Sequence, residues 1–165
     1  MLDTAKPAME QGDILKLDNQ LCFGLYAATH AITRVYRPLL NELGITYSQF
    51  LVLMALWDRD GQTVTSLGAS LFLDSGTLSP VLKRLEAAGL VTKTRQSRDE
   101  RVVEVMLTGN GRDMKDSARE VCLKVRSRLG MPDAAISQMR VDLDRFLLAL
   151  NDETARIGES YGPEE

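Results

Sequence analysis

Two cysteines, Cys22 and Cys122, are the most reactive nucleophiles of this 165-residue chain. Cys22 follows Asp18 and Asn19, which are good N-cap residues, so the sequence predicts that it lies in the first turns of a helix. Unpaired N–H groups and the positive end of the helix dipole favour a thiolate at such a position. A thiolate is the form that peroxides oxidise to sulfenic acid. The alternative is that both cysteines are inert packing residues, because free cysteine is often buried.

A second set of residues combines short hydroxyl side chains with positive charge. Between positions 83 and 101, six basic and three acidic residues leave a local excess of three positive charges on a chain of net charge −3. One helix is predicted to carry Ser75, Thr77, Ser79, Lys83 and Arg84 away from its apolar stripe, which suits the major groove of DNA. Beyond it, Arg98 and Arg101 are long enough to enter the minor groove, with Asp99 bracing a neighbouring arginine. The alternative is an ordinary solvated charged face.

Hydrophobic periodicity predicts the helices that position these residues. Apolar residues recur at spacings of three and four from Leu21 to Leu39, which predicts an amphipathic helix that Gly44 ends. Three more helices are predicted at 48–57, 64–71 and from the turn at 74–77 to about 88. In the last one, Pro80 requires either that Thr77 is the N-cap residue or that the helix is kinked.

From Leu90 to Leu107 the period changes to two, which predicts a β-hairpin with strands at 91–94 and 102–107 and a charged loop between them. Helical patterns return at 114–129 and 136–157. This order predicts a mainly α fold with a small β-hairpin wing, which is a winged helix-turn-helix. We expect a flexible arm at 1–13, a helical dimerisation region at 14–45 and 110–165, and the winged helix-turn-helix at 46–109, because one small core can hardly bury both terminal helices.

Bulk properties exclude several classes of protein. No run approaches the roughly 20 apolar residues that a membrane span needs, and the N-terminus does not resemble a secretory signal, so a cytoplasmic protein is expected. A net charge of −3 argues against indiscriminate coating of nucleic acid, although not against specific binding. His30 has no second ligand at metal-binding spacing, so neither a metal nor a cofactor is expected.

The segment LDSGTLSPVLKRLE at 73–86 resembles the recognition helix of the organic hydroperoxide resistance regulators (OhrR), a branch of the MarR family. The tripeptide Asp99-Glu100-Arg101 matches the Asp-x-Arg signature of the wider family, and DNQLCF at 18–23 adds to the resemblance, which runs from about Leu17 to the last helix. It implies a non-enzymatic, homodimeric repressor that leaves operator DNA when organic hydroperoxides oxidise Cys22. It also places Arg101 in the minor groove.

The resemblance further implies the surroundings of the reactive thiol. In that branch two tyrosines hydrogen-bond the cysteine, and Tyr36 and Tyr47 occupy the matching positions. Fourteen residues of helix span ~21 Å, so Tyr36 can reach Cys22 only from the partner subunit or across a sharply broken helix.

Some members of the branch resolve the sulfenic acid with a second cysteine from the other subunit. Its position aligns nearer Ser127, so Cys122 is either the resolving cysteine or an inert thiol on an apolar stripe. If Cys122 is inert, a small thiol caps Cys22, or oxidation stops at a sulfenate or a sulfenamide.

Two other functions remain open on the sequence. One is a MarR-type repressor that a small aromatic or lipophilic ligand releases from DNA, with incidental cysteines. The other is a thiol peroxidase acting at Cys22, although no arginine lies close in sequence to bind a peroxide.

Overall fold

The computed structural model describes residues 14–96 and 99–160, without side chains at 96, 99–101 and 152–160. The predicted arm at 1–13 and Arg98 therefore lie outside the described residues, as do the side chains of Asp99 and Arg101. The described part is mainly α-helical with one small antiparallel sheet, which confirms the predicted fold class. Its elements are a 3-10 turn (Leu17–Asn19), α1 (Leu21–Glu42), α2 (Tyr47–Asp58), β1 (Gln62–Thr63), α3 (Val64–Leu71), α4 (Ser75–Ala87), β2 (Val91–Gln96), β3 (Asp99–Leu107), α5 (Gly109–Arg128) and α6 (Asp133–Ser160).

The start of α1 differs from the prediction. Asp18 and Asn19 belong to the 3-10 turn, and Gln20 is the N-cap residue without a side-chain cap. The prediction that Asp18 or Asn19 caps the helix is therefore wrong, because the N–H of Asn19 bonds back to the Lys16 carbonyl and closes a separate turn. The helix ends at Gly44 as predicted, since Gly44 adopts a φ of +70°, the left-handed conformation that glycine tolerates best.

Side-chain caps begin the next helices. Thr46 and Gln49 form a reciprocal capping box that starts α2 at Tyr47, one residue before the predicted start. Asp74 caps α4, because its carboxylate accepts the N–H of Thr77 at 2.9 Å. The prediction that Thr77 is the N-cap residue is therefore wrong, and Pro80 is the sixth residue of α4.

The sheet contains the predicted hairpin and one strand that was not predicted. β2 and β3 pair antiparallel with Val91 opposite Leu107, and the pairing continues past an irregularity at 95–96 to Gln96 and Asp99. Part of the predicted charged loop is therefore strand. The additional strand β1 pairs with β3, so the order is β1-β3-β2, and its two residues are too few to show a period of two in the sequence.

The chain divides into two compact units, one ending at Val125 and one beginning at Arg126. The first has a continuous core in which Leu40, Leu53, Leu67, Leu82 and Val105 are almost completely buried. Trp57, predicted to be a core residue, is half-buried and donates a hydrogen bond from its indole N–H to the Gly111 carbonyl at 2.8 Å.

The second unit contains the end of α5 and all of α6, and it carries exposed apolar side chains, among them Met139, Val141, Leu143 and Leu147. No single described helix is long and apolar enough to cross a membrane. Only α1 and α2 taken together meet that requirement, and they are bent by 78° at their junction.

Candidate DNA-reading surface and thiol cluster

Helix α4 separates an apolar face from a polar one. Leu78, Leu82 and Leu85 are at most 2% exposed, because their spacing of three and four residues keeps them on one side of the helix. The predicted reading residues are all exposed on α4, namely Ser75, Thr77, Ser79, Lys83 and Arg84. The structure therefore brings these predicted residues together on one accessible surface.

Two hydroxyl groups on this surface already donate their protons within the helix. Thr77 Oγ1 donates to the Asp74 carboxylate at 2.8 Å, and Ser79 Oγ donates to the Ser75 carbonyl at 2.6 Å. In this arrangement both oxygens offer lone pairs, which accept from the amino groups of adenine or cytosine. The backbone N–H of Thr77 and its hydroxyl lower the pKa of Asp74, so the capping carboxylate stays charged.

A cleft of about 470 Å³ lies between the start of α3, helix α4 and strands β2 and β3. Thr65, Ser79 and Lys93 line it, so hydroxyl groups and an ammonium group converge there, and such groups bind phosphate oxygens. Lys93 also pairs with Glu86 at 2.8 Å and thereby links β2 to α4. Thr65 and Lys93 were not predicted as site residues. For Thr65 the available signal was the N-cap residue Thr63, two positions earlier. For Lys93 strand alternation gave no signal, because residues 92–95 of β2 are all exposed.

The predicted wing residues are described only in part. Asp99 and Arg101 belong to the backbone of β3 next to the hairpin turn, and Arg98 lies outside the described residues. Their contacts with DNA stay predictions.

The two cysteines lie in different surroundings. Cys22 is the second residue of α1 and is exposed, with its sulfur 4.0 Å from Gln20 Oε1. Cys122 lies on α5 and is half-buried at the edge of the core. Because Cys22 is accessible, an oxidant can approach it from solvent.

Tyr36 and Tyr47 lie beside Cys122 of their own chain. Their ring centroids are 5.2 Å apart, and both rings pack on Phe50 at 5.6 and 6.5 Å. The Tyr36 hydroxyl donates a hydrogen bond to the Cys122 sulfur. Helix α1 supplies Tyr36, α2 supplies Tyr47 and Phe50, and α5 supplies Cys122 to a group that we call the tyrosine–thiol cluster.

The predicted grouping of these tyrosines with Cys22 does not occur within one chain. Helix α1 is continuous from Leu21 to Glu42, so the 14 residues between Cys22 and Tyr36 span ~21 Å along its axis. Of the two geometries that the sequence left open, the sharply broken helix is absent from the described chain.

Burial controls the protonation of both tyrosines. It raises the pKa of Tyr36 to about 12, and the charge of Cys122, the neighbouring Tyr47 and the hydrogen bond with Cys122 act in the same direction. Burial also raises the pKa of Tyr47, and the charge of Cys122 raises it further, to a smaller extent. Both phenols therefore remain protonated near neutral pH and can donate hydrogen bonds to sulfur or to an oxygen bound to it.

A groove of about 460 Å³ opens beside this cluster, between α2 and α5. Phe50, Met54, Trp57 and Cys122 form its apolar part, and its charged residues are Asp58, Lys115, Asp116 and Arg119. Cys122 is thus reachable from solvent along the groove. Within 14–96 and 99–160, no group of three or more His, Cys, Asp or Glu residues could hold a metal ion.

Comparison with known proteins shows that the chain is similar to regulators of transcription. Residues 34–118 match the family described as transcriptional regulator SarA/Rot. The transcriptional regulator TtmR of Methylorubrum extorquens is 45% identical over 151 residues, which cover 92% of this chain and 76% of that protein. The organic hydroperoxide resistance transcriptional regulator of Bacillus subtilis is 49% identical over 109 residues, covering 66% of this chain and 74% of that protein.

Solved structures of AbfR of Staphylococcus epidermidis are similar as well. Reduced AbfR bound to DNA is 36% identical with a TM-score of 0.71, over 86% of this chain and 99% of that one. AbfR with a disulfide formed is 34% identical with a TM-score of 0.60, over 82% of this chain and 96% of that one.

Proposed function

The chain belongs to the MarR family of transcriptional regulators, and from that membership we propose that it is a repressor released from operator DNA when organic hydroperoxides oxidise Cys22. The observation that carries this proposal is the exposed thiol at the start of α1, in a chain 49% identical to an organic hydroperoxide resistance regulator. The structures of AbfR, both reduced on DNA and in a disulfide form, support a switch based on thiols. We place the repressor in the cytoplasm, without a membrane partner.

Two copies of the chain bind double-stranded DNA in this proposal. The dimer forms through 14–45 and 110–165, and each winged helix-turn-helix at 46–109 presents α4 to a major groove. The exposed polar face of α4 supports this role, with Ser75, Thr77 and Ser79 meeting base edges or phosphates and Lys83 and Arg84 neutralising phosphates. Arg98 and Arg101 enter the minor groove, and Asp99 braces them. The two reading helices then fit half-sites that lie ~34 Å apart.

The oxidation takes place at the seam between the subunits. Because ~21 Å of helix separates Cys22 from Tyr36 of the same chain, we assign the tyrosine pair of one subunit to Cys22 of the partner subunit. The Cys22 thiolate attacks the terminal oxygen of the hydroperoxide, the O–O bond breaks, and an alcohol leaves after protonation. The new sulfur-bound oxygen accepts hydrogen bonds from Tyr36 and Tyr47, whose raised pKa keeps them protonated. The accompanying rearrangement changes the spacing of the two reading helices.

A cysteine substitution tests the proposal. The reduced protein first selects a duplex from random sequence, and binding is then measured by fluorescence anisotropy with and without cumene hydroperoxide. In the wild type, we expect the Kd to rise by at least about tenfold, or ~1.4 kcal/mol, on oxidation. Cys22→Ser should bind the duplex like the reduced wild type and ignore the hydroperoxide. If the oxidant still releases Cys22→Ser from DNA, the redox proposal fails.

The groove beside the tyrosine–thiol cluster favours a second candidate function. Its apolar part, with Phe50, Met54 and Trp57, and its cationic Lys115 and Arg119 suit a small aromatic or lipophilic acid. In that case the ligand releases the repressor and the cysteines are incidental. A panel of aromatic acids would then release Cys22→Ser and the wild type equally, whereas hydroperoxide would release neither.

A further inference from the structure

We propose that Phe72 reads operator DNA by packing its ring against the C5-methyl group of a thymine in the major groove. This inference deepens the proposed function and rests on one part of it, which is that helix α4 enters that groove. It adds a specificity-determining residue in the turn before α4, outside the polar face of the helix.

The backbone of Phe72 adopts a conformation that its side chain disfavours. Phe72 follows the last residue of α3 with a φ of +54° and a ψ of +39°, in the left-handed region. Among the residues that the structure describes, it is the only one other than glycine with a positive φ. Helices often end on such a residue, and glycine is the usual choice because a Cβ atom crowds the backbone there. The way in which α3 ends therefore does not explain a phenylalanine.

Close packing fixes the turn that carries this ring. The N–H of Leu73 donates to the Gly68 carbonyl at 2.9 Å, and a Cβ atom at Gly68 would lie 2.8 Å from the Leu73 carbonyl oxygen. Leu71 and Leu73 pack against the core, whereas the Phe72 side chain between them is 67% exposed. The backbone under the ring is thus already ordered, which lowers the entropy cost of a contact with a ligand.

The position of the turn indicates which ligand the ring contacts. Only Leu73 and the capping Asp74 separate Phe72 from Ser75, the first residue of α4. In helix-turn-helix proteins the N-terminal residues of the recognition helix contact base edges, so in the proposed complex the ring lies at the end of α4 that meets the bases. Thymine presents its C5-methyl group in the major groove, and phenylalanine is among the side chains that contact it.

Substitution by glycine separates a contact with DNA from a structural role. Because glycine tolerates the left-handed conformation, Phe72→Gly should not unfold at a lower urea concentration than the wild type. On the duplex that the reduced wild type selects from random sequence, we expect its Kd to rise about tenfold, since a dimer loses two methyl contacts of about fourfold each. Fluorescence anisotropy measures this Kd. The slope of log K against log salt concentration should stay the same, because no phosphate contact is lost.

Deoxyuridine tests the identity of the contacted group. It pairs with adenine as thymidine does and lacks only the C5-methyl group, so each thymine of the selected duplex is replaced in turn, at symmetric positions of both half-sites. At one such pair of positions, we expect the wild type to bind about tenfold more weakly. Phe72→Gly should bind the substituted and the original duplex equally, because its methyl contact is already absent.

Met106→Ala is the matched control, because Met106 is an apolar side chain of β3 that is 42% exposed, and its substitution should leave the Kd unchanged. The inference is overturned if Phe72→Gly binds as tightly as the wild type, if it unfolds at a lower urea concentration, or if Met106→Ala weakens binding equally. It is also overturned if no deoxyuridine substitution affects the wild type more than Phe72→Gly. In all these outcomes the proposed function stands as long as hydroperoxide releases the wild type and not Cys22→Ser. A wild type that selects no duplex would remove the proposed function together with this inference.

Discussion

Burial among aromatic rings keeps the hydroxyl groups of Tyr36 and Tyr47 protonated, so both can donate hydrogen bonds. A donor beside sulfur stabilises negative charge on a thiolate or a sulfenate, whereas an ionised phenol would repel it. The sulfur of the exposed Cys22 lies 4.0 Å from the amide oxygen of Gln20, a group that accepts a hydrogen bond and cannot donate one. At the residue scale, these donors suit the role that the proposed function gives them, toward a thiol supplied by a second subunit.

The raised pKa of Tyr36 predicts a loss of stability at high pH. The folded value of about 12 exceeds the ordinary value of 10.0, so the folded state holds this proton more tightly than the unfolded chain does. The resulting stabilisation is complete below pH 10 and disappears as the pH rises from 10 to about 12. Tyr36→Phe should therefore lose less stability than the wild type over this range, as measured by urea midpoints.

Tyr26→Phe provides the control for this titration. The Tyr26 side chain is 62% exposed, and its substitution should leave the wild-type pH profile unchanged. Parallel profiles for Tyr36→Phe and the wild type above pH 10 would contradict the prediction.

At the scale of elements, hydrogen bonds around Thr108 and Asp60 fix the place where α5 leaves the sheet. Only Thr108 separates β3 from α5, and its hydroxyl donates to the Gly89 carbonyl while accepting the N–H of Gly111. Asp60, in the turn between α2 and β1, accepts the N–H of Leu107 at 2.8 Å and pairs with Arg112, which ties that turn to the same junction. The helix that carries Cys122 therefore starts from a fixed point on the wing.

Substitution of Gly111 should disrupt this junction. A Cβ there would lie 2.1 Å from the Leu90 carbonyl oxygen, which is backbone and cannot rotate away. Gly111→Ala must push α5 off the sheet, so we expect a loss of at least ~1–3 kcal/mol in the free energy of unfolding, measured with urea.

Gly109→Ala is the matched substitution in the same turn. A Cβ at Gly109 meets no atom within 4 Å, so its effect should stay within ~1 kcal/mol. Equal losses for the two variants would show that the close approach to Leu90 does not matter.

At the scale of the whole molecule, a positively charged surface lies on a chain whose net charge is negative. The chain carries a net charge of −3, yet the exposed end of α4 presents Lys83 and Arg84 together. In the proposed function, these two positive charges favour contact with DNA through the polar face of α4 despite the negative net charge. Such a distribution orients the protein on a duplex and makes binding sensitive to salt.

Lys83→Ala should reduce this sensitivity. Each phosphate contact contributes about one unit to the slope of log K against log salt concentration, and a dimer makes each contact twice. The magnitude of the slope should thus fall by about two for Lys83→Ala. Arg119→Ala removes the same charge from α5, next to the groove at Cys122, and should leave the slope unchanged. Equal changes for both variants would place the DNA surface elsewhere.

The sequence by itself determined the features that depend on near neighbours. The polar face of α4, the bounds of α3 and the hairpin follow from spacings of two, three and four residues, so local periodicity was sufficient. Most helix ends were likewise predictable within a residue or two, because Thr46, Asp74 and Gly44 act on backbone groups next to them. The resemblance to OhrR also rested on short runs of contiguous residues, and the 49% identity to the organic hydroperoxide resistance regulator of Bacillus subtilis confirms it.

Only the tertiary structure decided which side chains share a site. It added the two-residue strand β1, which exists because β3 pairs with it across more than 40 positions. It placed Tyr36 and Tyr47 on Cys122 rather than on Cys22, which no spacing along the chain indicates. Helices α1, α2 and α5 meet there because their apolar faces share one core, and such packing brings together residues that are distant in sequence.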